Sequence, residues 1–181
     1  MAVFPLFVNL ENRKCLVIGG GKVAARKVNA LLKFEADVTV VALETGWEIA
    51  ELYREGKINF IRGSSFEKEL GGSFLVVAAT SDRDWNSSIY EECIRRNIFV
   101  NVVDDPDKCT FIFPAVVKRD NVVIGISTSG DSPALSRFLR ERVEEIFPSN
   151  FEKVTELLKK ARLKALETMK DPRLRAELIN K

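Results

Sequence analysis

A short apolar run, Lys14-Cys15-Leu16-Val17-Ile18, ends directly on Gly19-Gly20-Gly21, and an amphipathic segment begins at once. No other feature constrains the fold of this chain as tightly. The run predicts a buried strand and the glycines a sharp turn. Residues 22–34 predict a helix, because Ala24, Val28, Leu31 and Leu32 recur at three- and four-residue spacing on one face. Gly19-Gly20-Gly21-Lys22-Val23-Ala24 therefore reads as G-x-G-x-x-A between a strand and a helix, the pattern of a dinucleotide phosphate loop. In that pattern Gly19 permits the turn and Gly21 lets backbone N–H groups approach a pyrophosphate. Ala24 is small enough for helix and strand to pack closely. Lys22 and Val23 open the helix, where unpaired donors and the positive dipole end favour an anion. Three glycines alone would make only a turn, so the elements around them decide the reading.

Those elements alternate. Asp37 to Ala42 is β-branched and predicts a second strand, followed by a helix over roughly Gly46 to Glu55 and a short strand at Ile58–Ile61. Ser73 to Ala79 is nearly all apolar, as a strand buried on both faces must be. A helix over Asp84–Arg96 and a fifth strand over Ile98–Val103 complete the pattern. Strands alternating with amphipathic helices predict a parallel sheet with right-handed crossovers. The pattern breaks at Asp104-Asp105-Pro106-Asp107-Lys108-Cys109, a turn-rich loop. Two strands then follow with no helix between them, about Ala115–Lys118 and Val122–Ser127, and predict an antiparallel hairpin. Thr128-Ser129-Gly130-Asp131-Ser132-Pro133 leads into a helix carrying Leu135, Leu139, Val143 and Ile146, with Ser132 as N-cap and Pro133 at the first helical position. Pro148-Ser149-Asn150 breaks the chain before a remainder rich in Leu, Lys, Ala and Glu. The expected class is α/β: a Rossmann-type parallel sheet with helices on both faces over residues 1–113, a small mixed segment over 114–147, and a helical tail over 148–181.

Composition removes several functions. The chain has no histidine, which excludes Ser-His and Cys-His catalysis and any His-ligated metal site of its own making. A net charge of +2 gives no global argument for nucleic acid or membrane as partner. Residues 151–181 carry nine Lys/Arg against five Asp/Glu, a local excess that reads first as a solvated helix face. Cys15, Cys93 and Cys109 are odd in number and dispersed, which suits reduced thiols. With neither a signal-peptide pattern nor a run of membrane-spanning length, the expected setting is cytoplasmic.

The acid that usually ends the second strand and holds the ribose hydroxyls is displaced. The strand runs out as Val40-Val41-Ala42-Leu43, and Glu44 is the first acid available, so either Glu44 or backbone around Leu43 serves. No arginine lies beside this turn to take a 2′-phosphate, which favours NAD over NADP. Ala78-Ala79-Thr80-Ser81, at the carboxyl end of the fourth strand, is where the ligand crevice of an open parallel sheet lies, and Thr80 is a second candidate cofactor contact. As a bare turn hydroxyl, Thr80 would be there regardless.

At this point the chain resembles the siroheme-synthase dehydrogenase module, meaning precorrin-2 dehydrogenases and the amino-terminal half of fused siroheme synthases. The resemblance rests on Phe4-Pro5-Leu6-Phe7, the loop Gly19 to Lys27, Ala78-Ala79-Thr80, Asn101-Val102-Val103-Asp104-Asp105-Pro106, Phe111-Ile112-Phe113-Pro114-Ala115 and Ser127 to Pro133, in order, from residue 1 to about 147. It implies NAD-dependent oxidation of precorrin-2 to sirohydrochlorin and a homodimer whose contacts come from the segment after the Rossmann unit. The helical tail would help enclose the tetrapyrrole. It implies Asp104 as the key acidic residue over the crevice, where a carboxylate at a strand end takes a proton or steers the macrocycle; a plain polar turn before Pro106 is the competing reading. The family's loop hydroxyl falls at Thr128, where fused synthases tend to carry serine. Asp105 and Arg137 are further candidates toward the substrate, with Arg140 and Lys118 or Arg119 also able to meet its carboxylates. Two alternatives stay open: an enzyme that also inserts ferrous iron, and a non-enzymatic NAD-sensing module.

Overall fold

The computed structural model describes residues 3–147 and 151–168, and the chain divides into two compact units, Met1–Ile112 and Phe113–Lys181. The first is built on five parallel strands: β1 Lys14–Ile18, β2 Asp37–Ala42, β3 Asn59–Arg62, β4 Leu75–Ala78 and β5 Phe99–Val102, in the order β3-β2-β1-β4-β5. Helices α1 Lys22–Leu32, α2 Trp47–Arg54 and α3 Arg83–Arg95 make the crossovers. The order runs one way from β1 to β3 and the other way from β4 to β5. Right-handed crossovers then put α1 and α2 on one face and α3 on the other.

Both faces of the central strands are dry, which is why β1, β2 and β4 lack polar alternation. Leu16, Ile18, Val76, Ala78, Val100 and Val102 share a core with Ile89 and Cys93 of α3. Phe66 and Leu70 close that core, Phe66 meeting Trp85 edge-on with 5.1 Å between ring centroids. On α1, Ala24, Ala25, Val28 and Leu31 are buried and Leu32 only half-buried, so the inward face is turned slightly from the expected one. Each fully buried Val, Leu or Ile contributes about 1.5–3 kcal/mol by leaving water. Burial also pushes the Cys15 and Cys93 thiols up to about 12, and neighbouring Asp37 and Glu92 add smaller effects of the same sign.

The strand and helix limits shift by one to three residues from the sequence reading. α1 stops at Leu32 because a turn takes over: Phe34 N donates to Leu31 O, Glu35 N to Leu32 O, and Glu35 has φ +59°. β4 begins at Leu75, not Ser73, since the Ser73 hydroxyl donates back to Glu69 O. Ile58 is buried but precedes β3, whose register starts with Asn59 opposite Thr39.

In the second unit, β6 Ala115–Arg119 and β7 Val122–Ile126 form the expected antiparallel hairpin, turning through Asp120 at φ +49°. Helix α4, Pro133–Ile146, starts as its sequence announces: the Ser132 side chain accepts from Leu135 N, with Pro133 next. Although α4 packs against β6 and β7, Leu135, Phe138, Leu139 and Ile146 of its apolar face are all exposed among the described residues. Helix α5 spans Phe151–Thr168, and Thr155 Oγ1 donates to Asp120 Oδ2 at 3.3 Å. The rest of the expected tail lies outside the described residues.

Candidate functional site

The glycine loop is fixed by its neighbours on both sides. Gly19, at φ +126°, lies where a Cβ would come 2.3 Å from Ala79 O. Its N–H donates to Val41 O at 2.9 Å. At Gly20 a Cβ would come 1.9 Å from Glu44 O, and Gly20 O accepts from Gly46 N at 2.8 Å. Gly21 differs: a Cβ there meets nothing within 4 Å. Gly19 and Gly20 are thus required by the protein's own packing, whereas Gly21 faces open space. Gly20, which the sequence groups with the other loop glycines as a cofactor contact, is the one on which the β2–α2 turn presses, leaving no room for a side chain.

Helix α1 leads away from this opening with no side-chain cap and no acid in its first turn. The amides of Lys22, Val23 and Ala24 have no partner within an α-helix at this position, which suits a phosphate. Leu43 and Glu44 are exposed, and Glu44 lies against Gly20. The fold also brings an arginine here that chain order concealed. β3 pairs with β2 so that Arg62 stands opposite Ala42, and Gly63 N donates to Ala42 O at 3.1 Å. The turn is free of arginine only along the sequence, because strand partners come from distant positions.

On the far side of β1, the Thr80 hydroxyl donates to Asn86 Oδ1 at 2.7 Å and accepts from Asp82 N at 3.2 Å, while Asn86 Nδ2 donates to Thr80 O. Thr80 N also donates to Asn86 Oδ1 at 3.4 Å, so hydroxyl, N–H and carbonyl of Thr80 are all engaged in holding this turn. Asn86 is 5% exposed and shares the inward stripe of α3 with Ile89 and Cys93. Sequence reasoning missed it, although an amide in an apolar stripe was the available signal.

Beyond β5, Val103 N donates to Ala78 O and Asp104 takes φ +59°, a left-handed backbone in which Asp and Asn are tolerated and β-branched residues are not. Asp104 is exposed at the carboxyl end of the sheet. The loop after it is held by buried Asn101, whose Nδ2 donates to Phe111 O at 3.0 Å and Cys109 Sγ at 3.4 Å. Asp105 pairs with Lys108 at 3.1 Å, and Lys108 reaches Ser87 Oγ at 2.7 Å, so Asp105 serves this turn. Lys27 of α1 feels the charges of Cys109 and Asp104; burial, then Arg26, lowers its pKa against their opposing pull.

The fold thus gathers Gly19 to Ala24, Leu43, Glu44, Thr80, Asp104 and Asp105 around the carboxyl ends of the strands of the first unit. Thr128 and Arg137 belong to the second unit. The Thr128 hydroxyl accepts from Ser132 N and lies 3.1 Å from Ser136 Oγ, organising the turn before α4. Arg137 is exposed on α4. Arg140 pairs with Glu144 at 2.8 Å, and Arg119 Nε donates to Phe147 O. Among the described residues, no three His, Cys, Asp or Glu side chains group as metal ligands, and no helix is long and apolar enough to cross a membrane.

Residues 6–115 match the family described as putative NAD(P)-binding. The chain belongs to this family. Within it, the chain is 40% identical over 157 residues to siroheme synthase 1 of Pectobacterium atrosepticum, covering 87% of this chain and 33% of the relative. It is 45% identical over 150 residues to siroheme synthase of Pseudoalteromonas translucida, covering 83% of this chain and 32% of that one. The chain therefore spans about a third of the length of these curated relatives. Among solved structures, SirC, a precorrin-2 dehydrogenase, superposes with TM-score 0.85 and 26% identity over 98% of this chain and 88% of its own. The family expected from the sequence and its parallel α/β fold both stand.

Proposed function

We propose that this protein is an NAD-dependent precorrin-2 dehydrogenase, forming sirohydrochlorin. The observation that carries the reading is the placement, at the carboxyl ends of the parallel strands, of open Gly21 after β1 and of Asp104 after β5, on either side of the switch point between β1 and β4. The relationship to siroheme synthases and to SirC supplies the substrate class. Gly21 and the first amides of α1 hold the pyrophosphate, and Glu44 or the Leu43 backbone takes the ribose hydroxyls. NAD, when bound, supplies a hydride acceptor.

What remains for the chain's own atoms is the proton. Desaturating a carbon–carbon or carbon–nitrogen bond removes a hydride from one atom and a proton from its neighbour. Asp104, solvent-exposed and carried on a fixed backbone, accepts that proton and passes it to water. A homodimer belongs to the same reading, and the exposed apolar side chains of α4 support it. The test is anaerobic incubation with precorrin-2 and NAD, following absorbance. NADH and the sirohydrochlorin spectrum should grow together; a protein that binds NAD yet yields neither is not this enzyme.

A further inference from the structure

Large apolar side chains of the central strands β1, β2 and β4 are buried; among those of the first unit left in water, besides Phe4, Leu6 and Phe7 ahead of β1, the β2–α2 turn presents Leu43 at 64% and Trp47 at 71% exposure. A lone exposed leucine calls for no explanation. A tryptophan beside a phosphate loop does. The turn is fastened to that loop by the Gly46 N to Gly20 O bond and by Glu44 O seated against Gly20. Trp47, the first residue of α2, is thereby set beside the glycines.

Two considerations bear on which way the indole faces. Ile49, two residues on, is fully buried, and a step of about 200° around the helix turns Trp47 away from that core. Helical side chains also lean toward the N-terminus, here toward Leu43 to Gly46. α2 follows the carboxyl end of β2, so this leaning carries the ring over the rim where the ligand crevice opens. In a dinucleotide fold the ribose held at the end of β2 belongs to the adenosine half. The residues at that end of β2 are Leu43, Glu44 and Trp47, with Arg62 at the register position opposite Ala42.

We infer that Trp47 is the platform on which the adenine ring of the dinucleotide stacks, with Leu43 completing an apolar shelf and Arg62 flanking the ribose. This rests on the dinucleotide reading above and adds to it the residue that recognises the base. An aromatic face stacks on a purine whatever its substituents, and such a contact is worth roughly tenfold or more in affinity.

The chain's other tryptophan, Trp85, is half-buried against Phe66, which makes it an internal reference. Tryptophan emission is followed while full-length protein is titrated with NAD, ADP-ribose or nicotinamide mononucleotide, with calorimetry in parallel. NAD and ADP-ribose should quench emission and the mononucleotide should not. Trp47→Phe should abolish the quench yet keep most of the affinity, whereas Trp47→Ala should weaken NAD and ADP-ribose about tenfold with unchanged melting temperature. Normal NAD binding in Trp47→Ala, or a quench persisting in Trp47→Phe, overturns the inference and leaves the dinucleotide reading intact. So does quenching that follows protein concentration rather than nucleotide, which would mean a second copy covers the ring. Absence of NAD binding to the wild-type protein by calorimetry removes both.

Discussion

Asp104 couples side-chain chemistry to backbone conformation. At φ +59° the residue occupies the left-handed region, where most L-residues cost about 1–2 kcal/mol and Asp or Asn less. Substitution by alanine therefore removes the carboxylate and strains the loop together, and its result mixes two causes. Asp104→Asn keeps the shape and the backbone tolerance and removes only proton acceptance. It should bind NAD as the wild type does, melt at the same temperature and lose at least about a hundredfold in turnover of precorrin-2, the usual range for a general base. Retention of wild-type turnover in Asp104→Asn takes the proton away from this residue. Asp104→Ala should show the same kinetic loss with a lower melting temperature besides.

Among the elements, the glycine loop divides into two roles that one experiment separates. Gly20→Ala places a methyl where Glu44 O stands 1.9 Å away, so the β2–α2 turn must shift; the expected cost is about 1–3 kcal/mol, read as a lower melting temperature. Gly21→Ala meets only open space, so the protein should melt normally and bind NAD more weakly. Equal stability of the two variants would contradict the packing described. The order of the elements, and the sheet they make, were legible because buried parallel strands and amphipathic helices write themselves into residue periodicity. The hairpin turn and the Ser132-Pro133 helix start were legible for the same local reason. What periodicity does not carry is lateral. Arg62 faces Ala42 only through strand pairing, Asn86 reaches Thr80 across six residues from within a core stripe, and Glu44 closes on Gly20 from the next crossover. These contacts depend on which strand lies beside which, and one sequence states that only through the fold.

For the molecule as a whole, the buried thiols set an alkaline limit. In the unfolded chain a cysteine ionises near its ordinary 9.0; folded, Cys15 and Cys93 hold their protons to about 12. Between those values the folded state carries more protons than the unfolded one, so stability falls as pH rises. The stabilisation is complete below about 9 and lost progressively toward about 12. Denaturant midpoints measured from pH 8 to pH 11 should decline, and the decline should be shallower in the Cys15→Ala, Cys93→Ala double variant when each curve is referred to its own pH 8 value. An identical slope in both proteins assigns the alkaline loss to other groups.

The bond from Gly46 to Gly20 bears on the kinetics of recognition. It joins the glycine loop and the β2–α2 turn, the two segments proposed to meet the dinucleotide, into one piece. The conformational entropy of arranging two separate loops is then lost when the chain folds, not when the dinucleotide lands. Such a site receives its ligand by docking rather than by closure, so association should approach the rate of simple encounter, and differences among nucleotides should appear in how long each one stays.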